Sequence, residues 1–117
     1  MARVAGQAAT DRLAENVIAL DVSEQLAITD IFVIASADSE RQVSAVCNGI
    51  EQDMHKAGYK LKRREGESDA RWILMDFTDI VVHVQHAEDR EFYALDRLWR
   101  DAPVIDLQLD DGRPAHH

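Results

Sequence analysis

The sequence predicts an α/β domain, a mixed β-sheet of about five strands with helices packed on it. Three stretches carry that expectation. DSERQVSAVCNGIEQDMHKAGY (38–59) repeats apolar residues at helical spacing. ITDIFVIASA (28–37) is a continuous apolar run that suits a buried central strand. ARWILMDFTDIVVHVQH (70–86) alternates like two strands joined by a tight turn. Strands interleaved with helices make an α/β domain. The antiparallel hairpin excludes an all-parallel doubly wound sheet.

The elements follow in order. Residues 2–15 are alanine-rich and read as a helix. VIALDV (17–22) is a short β-branched strand, and 28–37 is the next. Ser39, with Gln42 three positions later, fits a capping box at the start of the long helix. Val43, Val46, Cys47, Ile50 and Met54 form its apolar face, and Gly58 is placed to end it in a left-handed cap. Gly49 inside that helix costs about 1 kcal/mol against alanine, which close packing on the sheet would explain. KLKRRE (60–65) fits a short edge strand and 66–70 a loop. After the hairpin, Glu88, Asp89 and Glu91 suit the positive end of a helix, and Arg97 and Arg100 its negative end. Pro103 follows, then a short extended piece. One domain spans 1–109, and 110–117 reads as a disordered tail in which His116 and His117 are a loose end and not a metal site.

Hairpin register is set by burial. Opposing Phe77 to Ile80, Met75 to Val82 and Ile73 to Val84 makes one flank wholly apolar. The other flank then opposes Asp76 to Val81, Leu74 to His83 and Trp72 to Gln85. Thr78-Asp79 is poor for a two-residue turn, which favours glycine or asparagine at positive φ. A type I turn or a bulge is the expected remedy. The second flank fits neither a plain core nor a plain surface. On the last helix Phe92, Leu95, Leu98 and Trp99 form an apolar stripe, while Tyr93 lies away from it among Asp89, Arg97 and Arg100. Two readings stand level. Trp72 and Tyr93, near Asp76 and His83, make a docking patch of the residue types that anchor interfaces. Alternatively the N-terminal helix covers Trp72, and Tyr93 is ordinary surface.

Charge bounds the partner. The chain has 22 acidic and 13 basic residues, a net charge of -9. That balance disfavours nucleic acid and suits a basic protein. Lys60, Lys62, Arg63, Arg64 and Arg71 are an exception that could touch RNA locally. An edge strand protected by its cations is the better reading of them. No apolar run approaches the ~20 residues that cross a bilayer. The N-terminus lacks the pattern of a secretory signal, so the expected location is the cytoplasm. Cys47, the single cysteine, reads as a buried apolar residue.

Enzymatic chemistry finds little support. Asp76 and Asp79 are three apart across a turn, and His83 and His86, also three apart, point to opposite sides of a strand. Asp79 is better read as a turn residue. No glycine-rich phosphate loop follows the second strand, and neither serine nor cysteine has a base at a motif spacing. No catalytic residue, metal ligand or cofactor is expected.

DVSEQLAITDIFVIASADSERQV, WILMDFTDIVVHVQH and REFYALDRLWRDAP together resemble the ribosomal silencing factors, or Iojap family, in order and spacing over most of 21–103. The resemblance implies a nucleotidyltransferase-like fold without its catalytic signature. It implies binding to the large ribosomal subunit at large-subunit ribosomal protein fourteen, with the bound factor obstructing the small subunit when nutrients are short. A role in large-subunit assembly is the alternative, and a nucleotidyltransferase-like enzyme a weaker one. Within the matching motifs Trp72, Leu74, Asp76, His83, Gln85, Tyr93 and Arg97 are the expected contact residues. Lys60–Arg64 would approach ribosomal RNA as a minor contact, and a homodimer stays open. The chain departs from the family at Thr78, where relatives commonly carry glycine.

Overall fold

The structure is a computed structural model. It describes residues 1–66, 69–93, 97 and 99–109, and of 91–93 the backbone alone. The described elements are α1 (Ala2–Asp11), β1 (Glu15–Asp21), β2 (Ile31–Ala37), α2 (Glu40–Lys56), β3 (Arg63–Glu65), β4 (Trp72–Asp76), β5 (Ile80–His86), α3 (Ala87–Tyr93) and β6 (Val104–Ile105). They form a six-stranded sheet in the order β3-β4-β5-β2-β1-β6. Only β2 and β5 run parallel, so the sheet is mixed as expected. The sixth strand comes from the short extended piece after Pro103, where Val104 and Ile105 pair with Leu20 and Ala19.

The first sheet face carries the main core. Val33, Ala35, Ile73, Met75, Val82 and Val84 pack beneath Ala5, Ala8 and Ala9 of α1 and Val43, Val46, Ile50 and Met54 of α2. Cys47 is buried there as a free thiol. α1 is four residues shorter than the expected 2–15. Leu13 turns to φ 67, and Ala14 N–H donates to the Ala9 carbonyl (3.0 Å) while Leu13 N–H donates to that of Thr10 (3.0 Å). That is a left-handed helix cap built on leucine. α2 ends the same way on glycine. Gly58 has φ 92, with Tyr59 N–H on the Met54 carbonyl (2.9 Å) and Gly58 N–H on that of His55 (3.0 Å).

At the start of α2 the Ser39 hydroxyl accepts from Gln42 N–H at 3.1 Å. The return arm of the expected capping box is absent, because the Gln42 side chain donates to the Arg12 carbonyl and ties α2 to the end of α1. Gly49 also has a different reason from the expected one. A Cβ there would lie 2.2 Å from Arg12 Nε, so it is Arg12, not the sheet, that crosses the glycine. Arg12 reaches Asp53 with two bonds (2.6 and 3.2 Å), and that carboxylate raises its pKa.

Candidate functional site

The hairpin forms in the expected register. Trp72 opposes Gln85, Leu74 opposes His83, and Asp76 opposes Val81. The turn, however, is neither type I nor a bulge. Thr78 takes φ 77, Asp79 N–H donates to the Phe77 carbonyl (3.1 Å), and Asp76 Oδ1 accepts from Thr78 N–H (2.8 Å). A three-residue turn of this kind is strained for a β-branched residue. Asp76 holds it, so half-buried Asp76 has a structural task whether or not it touches a partner.

The second flank belongs to a smaller core. Leu20, Val22, Phe32, Ile34, Val81 and Ala102 form it, with Trp72, Leu74, Leu26 and Trp99 packed at its margin. Aromatic rings cross this core in a row. Trp72 Nε1–H donates to His83 Nδ1 at 3.2 Å. The His83 ring stands edge-on to Phe32 at 4.7 Å, and Phe32 edge-on to Trp99 at 5.4 Å. Since Nδ1 accepts, the imidazole is neutral with its proton on Nε2. Burial pushes the His83 pKa down to about 4.

This placement corrects two expected contacts. His83 is 6% exposed and Gln85 0% exposed, so neither side chain reaches a partner from this position. The chain beyond α3 also packs on this face, through Ala102 and through Trp99 against Phe32. The N-terminal helix does not cover Trp72 either, because α1 packs on the opposite face. Trp72, Leu74 and Asp76 remain half-buried along β4, and Arg97 is exposed. Tyr93 closes α3, but its side chain lies outside the described residues, as do the side chains of Phe92, Leu95 and Leu98. The surface that remains is therefore a strip along β4 beside a closed core, narrower than the whole flank.

Two arginines brace the Trp72 end of the sheet. Arg71 bonds Asp89 (2.7 Å), Glu40 (3.1 Å) and Glu88 (3.3 Å), joining the starts of β4, α2 and α3. These carboxylates, Asp89 first, raise its pKa. Arg90 is buried and donates to the Asn16 carbonyl at the β1 bulge. The basic cluster is thus partly spent. Arg71 serves the three acids, Arg64 pairs with Glu51 (3.1 Å) and Arg63 with Glu65 (3.3 Å). Lys60 and Lys62 stay exposed, and Lys60 and Arg64 line an open groove of about 1020 Å³ between α2 and residues 58–64. Among the described residues no group of three or more His, Cys, Asp or Glu is placed to hold a metal ion. Nor, among them, is any helix long and apolar enough to cross a membrane.

Comparison with known proteins agrees with this architecture. The family described as "Ribosomal silencing factor during starvation" matches residues 1–117. The Ribosomal silencing factor RsfS of Bacillus subtilis is 39% identical over 107 residues, 92% of this chain and 91% of that protein. A mouse protein named "Mitochondrial assembly of ribosomal large subunit protein 1" is 32% identical over 93 residues, 74% of this chain and 39% of the mouse protein. A crystal structure from Chromobacterium violaceum superposes with a TM-score of 0.81 at 28% identity, covering 96% of this chain and 92% of that one. On this match in sequence and fold, the chain belongs to the family of ribosomal silencing factors.

Proposed function

We propose that this protein silences translation in the cytoplasm by binding the large ribosomal subunit at large-subunit ribosomal protein fourteen and excluding the small subunit. Family membership supports a ribosome-associated silencing role. The observation that carries the finer reading is the β4 strip. Trp72 and Leu74 lie half-buried side by side on β4, packed against the second core without being closed into it. Half-buried tryptophan held by a hydrogen bond is a pre-ordered interface anchor. The acidic balance suits a basic ribosomal protein. Blocking by occupancy needs affinity and no chemistry, so Trp72, Leu74 and Asp76 are contact residues here, not catalytic ones, with Tyr93 and Arg97 at the α3 end.

Mixing purified subunits with the protein and separating them by sedimentation tests this. Joined ribosomes should decrease in proportion to the protein added. Undiminished joining at saturating protein contradicts it. The mouse relative's name favours a second reading, large-subunit assembly. Depletion separates the two, since an assembly factor leaves immature large subunits behind and a silencer does not.

A further inference from the structure

We propose that the docking surface continues past the hairpin onto the β1–β2 loop, where Ile28 is a second apolar anchor for a basic protein surface on the large subunit. This rests on the docking reading above and extends it. Ile28 is 82% exposed although it lies in an ordered loop. Leu26 N–H donates to the Val22 carbonyl (2.9 Å), Val22 N–H to that of Asp30 (2.9 Å), and Asp30 N–H to that of Asp79 (3.0 Å). The last of these bonds joins the loop to the hairpin turn. Leu26 packs against the second core, as Leu74 does, while Thr29 is buried. Ile28 is thus held outward between two anchored residues, at the Asp76 end of the β4 strip.

The charge around it selects the partner. Residues 13–40 and 72–89 contain no lysine or arginine. Glu24, Asp30 and Asp79 are exposed and make no ion pair among the described residues. An apolar residue ringed by unpaired carboxylates complements a basic protein surface and repels phosphate.

The test is the affinity of the full chain for purified large subunits at two salt concentrations. Ile28→Ser should weaken binding about tenfold or more, as loss of an interface anchor does. Ile28→Leu should restore it. Leu13→Ser is the matched control, because Leu13 is 80% exposed at the other end of β1 and should leave binding unchanged. Asp30→Asn with Asp79→Asn should weaken binding and flatten its salt dependence. Unchanged binding by Ile28→Ser, or equal weakening by Leu13→Ser, overturns the proposal. Tighter binding by the double asparagine variant does so too and identifies a phosphate partner. Trp72→Ala separates this inference from the reading beneath it. Binding lost with Trp72→Ala but kept with Ile28→Ser overturns the loop alone, whereas no binding by the wild type overturns both.

Discussion

Thr78 holds a positive φ that a β-branched side chain rarely adopts. Thr78→Gly should therefore raise unfolding stability by about 1 kcal/mol, since relief of the left-handed penalty exceeds the added unfolded-chain entropy. A urea titration measures this, and lower stability would show that the turn is not strained. Gly66 presents the opposite case. It has φ 91, and a Cβ would stand 2.1 Å from the Trp72 carbonyl oxygen. Gly66→Ala should cost about 2 kcal/mol or more by the same titration. His83 gives the fold a pH dependence. Burial holds its folded pKa at about 4, below the 6.5 of an ordinary exposed histidine. The unfolded chain thus takes up the proton first. Stability from keeping His83 neutral is complete above pH 6.5, falls as pH drops from 6.5 to 4 and is lost below. The full loss is about 3 kcal/mol. The stability of the wild type relative to His83→Phe should therefore fall as pH drops from 6.5 to 4, and parallel curves would contradict this assignment.

At the scale of elements, Arg71 joins three starts of secondary structure through Glu40, Glu88 and Asp89. Arg71→Met would leave these carboxylates facing one another. The amides of α3 should then exchange with solvent faster than those of β5, a difference that added salt reduces. Equal exchange in wild type and variant would show that α3 is held by packing alone. The same elements show what the sequence could reveal. Hairpin register was legible because its alternating pattern has a period of two and only one pairing buries Ile73, Met75, Val82 and Val84 together. Ser39 and Gly58 were legible because caps are local chemistry. Burial of His83 and Gln85 was not legible. His83 lies edge-on to Phe32 of β2, a neighbour distant in the chain that no local pattern of the hairpin encodes. Gly49 and Gln42 were misread for the same reason, since both answer to Arg12, distant in the chain. Leu13 ends α1 with a residue that ordinarily continues a helix, so the end of that helix was hidden as well.

At the scale of the whole molecule, two cores stand back to back on one sheet, and they divide the work. The larger seals α1 and α2 onto the first face. The smaller takes in Ala102, with Trp99 against Phe32, and leaves Trp72 and Leu74 half-buried along β4. The fold thereby leaves a narrow, half-buried strip along β4. The most direct measurement is the affinity of Trp72→Ala for purified large subunits, with its fold verified by circular dichroism. An anchor of this kind contributes about 2 kcal/mol or more, so binding should weaken roughly thirtyfold. A folded Trp72→Ala that binds as tightly as the wild type would contradict the proposed role of β4 as the docking strand.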